Sequence, residues 1–231
     1  MTMPVPQTEF LARVRDAIRR APAWQTSPMT APTLPTVDGG VERFATALGA
    51  VGGKVYTPED DTEVVAKILE IALAHSARRV GLIEGPATSG LGVGELLGNA
   101  GIEANAVHFQ AWRTREGSEE KARVAMRQFL ASADMVISGA DCAIAETGTL
   151  ILLAGPGNPR SATNLPPVHL VVIRPDQIVP TLSNIVSFLR VAAGNASCVT
   201  LITGPSRTSD IEQISTIGVH GPGELHVIIR N

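Results

Sequence analysis

Cysteine is nearly absent from this chain: Cys142 and Cys198 are the only two in 231 residues. An iron–sulfur cluster takes about four thiolates, and a structural zinc clip needs closely spaced pairs, so neither is expected here. Both thiols sit in apolar surroundings (Ala-Asp-Cys-Ala-Ile and Ala-Ser-Cys-Val-Thr) and read as small buried hydrophobes in a reducing compartment. Aromatics make up 3% of the residues, the formal charge is -3, and no basic cluster with interleaved aromatics occurs. Nothing in that balance draws in a polyanion, so nucleic acid is not an expected partner. No apolar run approaches the roughly 18 to 20 residues of a membrane span, and MTMPVPQTEF lacks the apolar core of a signal peptide. The expected location is therefore cytoplasmic. A Ser-His-Asp triad, HExxH and an acidic metal loop are missing too, so serine-hydrolase and zinc-protease chemistry have little support and no metal site is expected.

What the chain does contain is an aliphatic core with many turns: 44% hydrophobic residues, 22 glycines and 16 prolines. That length suits one well-buried domain with an appendage. Residues 1–38 read as an N-terminal helix (apolar Phe10, Leu11, Val14, Ala17 and Ile18) followed by a proline-rich linker. This arm is a candidate for homo-oligomer or partner contact.

Residues 39–231 alternate between helical and strand periodicity, which predicts an α/β domain. A single mostly parallel sheet flanked by helices is expected, with an antiparallel hairpin portion. VERFATALGAVG, DDTEVVAKILEIALAHSARR and TREGSEEKARVAMRQFLASA read as helices, the last capped by Ser118. Strands are expected at GGKVYT, RVGLIE, ANAVHF, Met135–Ser138, Leu150–Leu153, Val168–Ile173 and SCVTLIT. Leu150–Leu153 is expected to pair antiparallel through the turn Gly155–Pro159, DQIVPTLSNIVSFLRVA to form one helix, and GELHVIIR to close the sheet. His108 reads as a satisfied wall residue of its strand, since no second ligand lies at metal spacing. The glycines at 85, 90, 92 and 94 lead into a helix and can offer N–H groups to an anion. They match neither GxxxxGK[ST] nor GxGxxG, so nucleotide binding has little support.

Polar chemistry gathers in GADCAIAETGTLILLAGPGNPRSATNLPPVH, residues 139–169. Glu146 leaves the backbone where an apolar strand gives way to Thr147-Gly148-Thr149. In partly apolar surroundings its pKa would rise, suiting it to act as base or nucleophile, or it ties down its turn. Asp141 follows a Gly-Ala turn and has a common structural use in accepting backbone N–H bonds. In GPSRTSDIE, Ser206 and Thr208 bring hydroxyls and Arg207 a planar fork suited to a carboxylate or phosphate, with Asp210 and Glu212 able to orient it. His220, between glycines in GVHGPGELHV, is a loop histidine placed for proton transfer or ligand contact. His226 lies in an alternating strand and His75 in a helix.

GADCAIAETGTL, then PR before NLPPVHLVVI, and TGPSRTSDIEQISTIGVHGPGELHVII closely resemble the lactate-utilisation (LUD) family, in particular its LutC/YkgG-type members. The resemblance covers about Gly40 to the end. It implies the fold shared by sugar-phosphate isomerases, coenzyme A transferases and 5-formyltetrahydrofolate cyclo-ligase. It also implies a role in L-lactate use as a cluster-free subunit, with two iron–sulfur partner proteins carrying the clusters. Residue by residue, AETGT falls on Ala145–Thr149, PR on Pro159 and Arg160, LPxxH on Leu165–His169 and GPSRTxDIE on Gly204–Glu212. The candidates are then Glu146 and His220 for catalysis. For binding a small carboxylate they are Asp141, Thr147, Thr149, Arg160, His169, Ser206, Arg207 and Asp210. Two other functions remain open: a carboxylate-handling enzyme of transferase or isomerase type using Glu146, and a small-molecule or nucleotide sensor.

Overall fold

A computed structural model describes residues 7–20, 35, 38–155, 157–209, 215–218 and 220–231. The chain divides into two compact units, Met1–Thr30 and Ala31–Asn231. The first contains helix α1 (Gln7–Arg20), the amphipathic helix expected from its spacing.

In the second unit the chain runs through α2 (Gly40–Ala50), β1 (Lys54–Tyr56), α3 (Asp61–Ala74), β2 (Arg79–Leu82), α4 (Val93–Asn99) and β3 (Glu103–Ala106). Then come α5 (Phe109–Glu116), α6 (Glu119–Ser132), β4 (Met135–Gly139), β5 (Cys142–Ile144), β6 (Thr149–Ala154) and β7 (Val168–Ile173). The remainder is β8 (Ile178–Val179), α7 (Val186–Asn195), β9 (Cys198–Ile202), β10 (Arg207–Ser209), β11 (Ser215–Ile217) and β12 (Glu224–Ile229). Helix starts follow their caps: the Asp60 carboxylate accepts the Glu63 N–H at 2.9 Å, and Ser118 Oγ accepts the Lys121 N–H at 3.3 Å. His108, exposed, stands at the head of α5 rather than in a strand wall.

Six strands form an all-parallel sheet in the order β1-β12-β7-β4-β2-β3. Its central strands are covered on both faces, which is why β7 is apolar almost throughout and buried at every position. On one face Val168, Leu170, Val172 and Ile228 pack against Val64, Ile68 and Ile71 of α3 and Leu97 of α4. On the other, Val171, Ile173, Val227 and Ile229 meet Phe44 and Leu48 of α2 and Leu150 and Leu152 of β6. β6 belongs to a second, mixed sheet in the order β8-β5-β6-β9.

The α/β architecture is as expected, with the antiparallel portion set apart as this second sheet. Three local expectations change. β6 pairs antiparallel with β5 and β9, not with β7. Gly155 and Asn158 do close a tight bridge, but the chain then turns through 160–164 and crosses to the parallel sheet instead of folding back. The segment 176–192 is not one helix, because Ile178 and Val179 pair with Ala143 and Ile144, so after a 3-10 turn over Leu182–Ile185 the α-helix begins only at Val186. β12 does not close the sheet at an edge; it inserts between β1 and β7. Among the described residues, no helix is long and apolar enough to cross a membrane.

Candidate functional site

The turn joining β5 to β6 is pinned by backbone bonds. The Ala145 and Glu146 N–H groups donate to the Val179 and Pro180 carbonyls at 2.8 and 3.1 Å, and the Gly148 N–H to Ile144 at 3.0 Å. Gly148 has φ +64 and lies directly on the backbone of Leu48. The backbone of Glu146 is therefore held while its side chain is exposed, not set in apolar surroundings. Asp141 and Glu146 do not form a pair: β5 lies between them, and they open at opposite ends of it. Thr147 and Thr149 hydroxyls are 2.7 Å apart, and Thr149 is 2.7 Å from Thr203, a hydroxyl chain running from the turn to the end of β9.

Beyond Thr203 the chain bends at Gly204, whose φ of +88 lets it lie against the Val51 carbonyl. The Ser206 N–H donates to Pro222 at 2.8 Å, and its carbonyl accepts the Gly218 N–H at 2.9 Å. These bonds lay the GPSR corner against the loop that carries His220. Arg207 is exposed, and its Nη2 donates to the Val51 carbonyl at 3.0 Å, so its guanidinium secures the α2–β1 turn. Asp210 and Glu212 lie outside the described residues.

A cleft of about 190 Å³ opens between the start of β7 and the end of β9. His169, Ser206 and His220 line it together with Thr163, Asn164 and Thr203. Three separately predicted residues, about fifty positions apart at the extremes, are thus brought to one cleft. His169 is fully buried; its Nε2 is 2.8 Å from Ser138 Oγ, and its Nδ1 has no hydrogen-bond partner among the described residues. Burial holds this ring neutral, with its pKa pushed down to about 3. If Ser138 donates to Nε2, then Nδ1 carries an N–H donor; if Nε2–H donates to Ser138, Nδ1 is a lone-pair acceptor. Either tautomer leaves one unmet bond, and an unmet buried polar atom costs about 1–3 kcal/mol that a ligand oxygen would recover.

A second crevice, about 310 Å³, lies outside the C-terminal ends of β2 and β4. There β2 leads away to β3 while β4 leads the other way to β7, the switch point at which open α/β sheets commonly take ligands. Glu84 and Asp141 line it. Asp141 Oδ2 accepts the Leu153 N–H at 2.7 Å; loss of water pushes its carboxyl up in pKa, and that N–H restrains the rise. Asp141 therefore does accept a backbone N–H, from Leu153 of β6. Arg160 is exposed and lines neither opening; its carbonyl accepts the Thr163 hydroxyl at 3.3 Å.

Sequence reasoning missed Ser138, Thr163, Asn164 and Thr203. Ser138 alone carried a signal: a hydroxyl inside the otherwise apolar run MVIS of a strand buried on both faces.

Comparison with known proteins places these motifs in context. The LUD domain profile matches residues 41–229. Lactate utilization protein C of Halalkalibacterium halodurans is 32% identical over 181 residues, covering 73% of this chain and 71% of that protein. Lactate utilization protein B of Shouchella clausii is 29% identical over 241 residues, and this chain spans 49% of its length. The crystal structure of a DUF162 family protein from Deinococcus radiodurans superposes with a TM-score of 0.54 at 22% identity, covering 83% of this chain and 96% of that one. That likeness bears on the fold alone.

Proposed function

The chain belongs to the LUD domain family, and on that premise we propose that it is a lactate-utilisation protein whose His169 cleft takes a small α-hydroxy or α-keto carboxylate. The names of its relatives supply the substrate class. The observation that carries the reading is the buried, neutral His169, its Nδ1 unpartnered among the described residues, at a cleft that also holds Ser206, Thr203, Asn164 and His220 beside the apolar Leu201, Ile202 and Leu225. Lactate presents one hydroxyl and one carboxylate, and pyruvate a carbonyl in place of the hydroxyl. Nδ1 would bond the C2 oxygen of either, while Ser206, Thr203 and Asn164 would bond the carboxylate.

Oxidation of lactate to pyruvate releases two electrons and two protons. In this reading the chain binds and orients, and two iron–sulfur partner proteins accept the electrons. A partner or second copy at the N-terminal arm belongs to the same proposal. A competing reading makes Glu146 a base or acyl acceptor; what favours it is an exposed carboxylate on a turn whose backbone is fixed by three hydrogen bonds.

The test is lactate-dependent dye reduction by the purified chain, by the two partners, and by all three together. Turnover is expected only from the full mixture, and His169→Gln, which keeps a partner for Ser138, should lower it at least about tenfold with kcat/KM as the readout. Glu146→Gln should leave it within about twofold; abolition by Glu146→Gln would favour the competing enzyme. Equal turnover without this chain would contradict the proposal.

A further inference from the structure

The face of the parallel sheet turned away from the cleft carries a second group of chemistry-bearing side chains, from three elements. β12 contributes Glu224 and His226, the parallel-paired β1 contributes Lys54 and Tyr56, and His75 terminates α3. Glu224 Oε2 lies 3.6 Å from His75 Nε2 and 3.5 Å from His226 Nε2. One ligand atom from each of the three residues falls within 4.8 Å of the others. Two ligands held at about 2.0–2.1 Å from an ion at the tetrahedral angle stand roughly 3.3–3.4 Å apart. Contraction by a few tenths of an ångström would bring both carboxylate–imidazole pairs to that spacing.

A second observation points at a ligand. His226 is 3% exposed, and its Nε2 is buried without a hydrogen-bond partner among the described residues. Its other nitrogen, Nδ1, is 3.1 Å from the Tyr56 hydroxyl, and the two rings stack with centroids 5.9 Å apart. With Nδ1–H donating to Tyr56, the Nε2 lone pair faces Glu224 and His75. This is the outer-sphere bond that fixes tautomer and orientation in histidine metal ligands.

Lys54 Nζ sits 2.7 Å from the same Glu224 oxygen and supplies its positive charge when no ion is bound. An ion and Lys54 must therefore compete. The donor set of two imidazoles and one carboxylate suits zinc-class ions better than calcium or magnesium, which favour oxygen ligands throughout.

We propose that His75, Glu224 and His226 bind one zinc-class divalent transition ion, with a water in the fourth position. The ion ties the end of α3 to β12, one residue from Leu225, which lines the cleft on the opposite face. The site stands independently of the lactate reading.

The test uses the full-length, tag-free, metal-stripped chain titrated with Zn²⁺ by calorimetry. Co²⁺ serves as the spectroscopic probe of coordination number. One saturable equivalent and the visible absorption of four-coordinate Co²⁺ are expected. His75→Ala removes a half-buried ring at a helix end and should weaken Zn²⁺ binding at least about tenfold, as should Glu224→Gln. Lys54→Met removes the competitor and should tighten it. His226→Ala risks the fold, so these milder variants decide the matter. Absence of a saturable equivalent would overturn the proposal, as would unchanged affinity in both His75→Ala and Glu224→Gln.

Discussion

Replacement of Gly148 by alanine is expected to destabilise the protein by about 2–5 kcal/mol, the sum of two costs. The first is conformational: at φ +64 a side chain is strained by about 1–2 kcal/mol. The second is steric. A Cβ at this position would lie 2.6 Å from Leu48 Cα and 2.8 Å from Leu48 Cβ, inside van der Waals contact with a helix backbone that cannot swing aside. Leu48 is fully buried, and Gly53 packs tightly on its side chain as well, so relief requires α2 to move as a body. Overpacking of this kind costs about 1–3 kcal/mol. Movement of α2 would also carry off the Val51 carbonyl on which Gly204 and Arg207 rest, so the GPSR corner should loosen with it. Urea denaturation measures the first effect, and hydrogen exchange at Ser206 and Gly218 the second. Gly98→Ala serves as the control: it lies in α4 with nothing near its missing Cβ, and should stabilise by up to about 1 kcal/mol.

Acidification is expected to remove stability at about 1.4 kcal/mol per pH unit through His169 alone. In the unfolded chain this imidazole takes a proton near its ordinary value of 6.5; in the folded protein burial defers protonation to about 3. Between those values the unfolded state binds the extra proton, so stability falls as pH falls, and above pH 6.5 the group contributes no slope. From pH 6.5 to 4 the loss is about 3 kcal/mol, a large part of a typical domain's stability. His226, held down to about 4, adds in the same direction over most of that range. Denaturation midpoints measured from pH 7.5 to 4 should therefore show a steep decline, and His169→Gln should remove about one proton's worth of its slope. An equal slope in wild type and variant would show that His169 titrates normally in the folded protein.

The alternation of helical and strand periodicity made the α/β architecture legible, because each covered strand must be apolar and each surface helix amphipathic. The caps at Asp60 and Ser118 were equally local signals. Legibility failed where partners are distant in sequence. Nothing in GELHVIIR says that it inserts between the first and seventh strands, and the pairing of Ile178–Val179 with β5 overrides a helical pattern. The same limit applied to chemistry. His169, Ser206 and His220 were singled out one by one from their motifs, and only the fold puts them on one cleft. Arg207 had the right functional group, but its guanidinium bonds the Val51 carbonyl, a contact across 156 positions. His75 and His226 read as ordinary helix and strand residues because the sheet face that joins them, with Glu224 between, leaves no mark in either segment.

The central claim is that His169 meets a small hydroxy or keto acid through Nδ1. ¹⁵N NMR of the uniformly labelled chain, read at the histidine ring nitrogens and at the backbone amides during titration with L-lactate, and separately with pyruvate, tests it most directly. A saturable shift of the His169 Nδ1 resonance is expected, lost in His169→Gln, with the His75 and His226 resonances unmoved. An unmoved His169 resonance, with saturable changes confined to the backbone of Glu84 and Asp141, would place the ligand in the switch-point crevice and contradict the account.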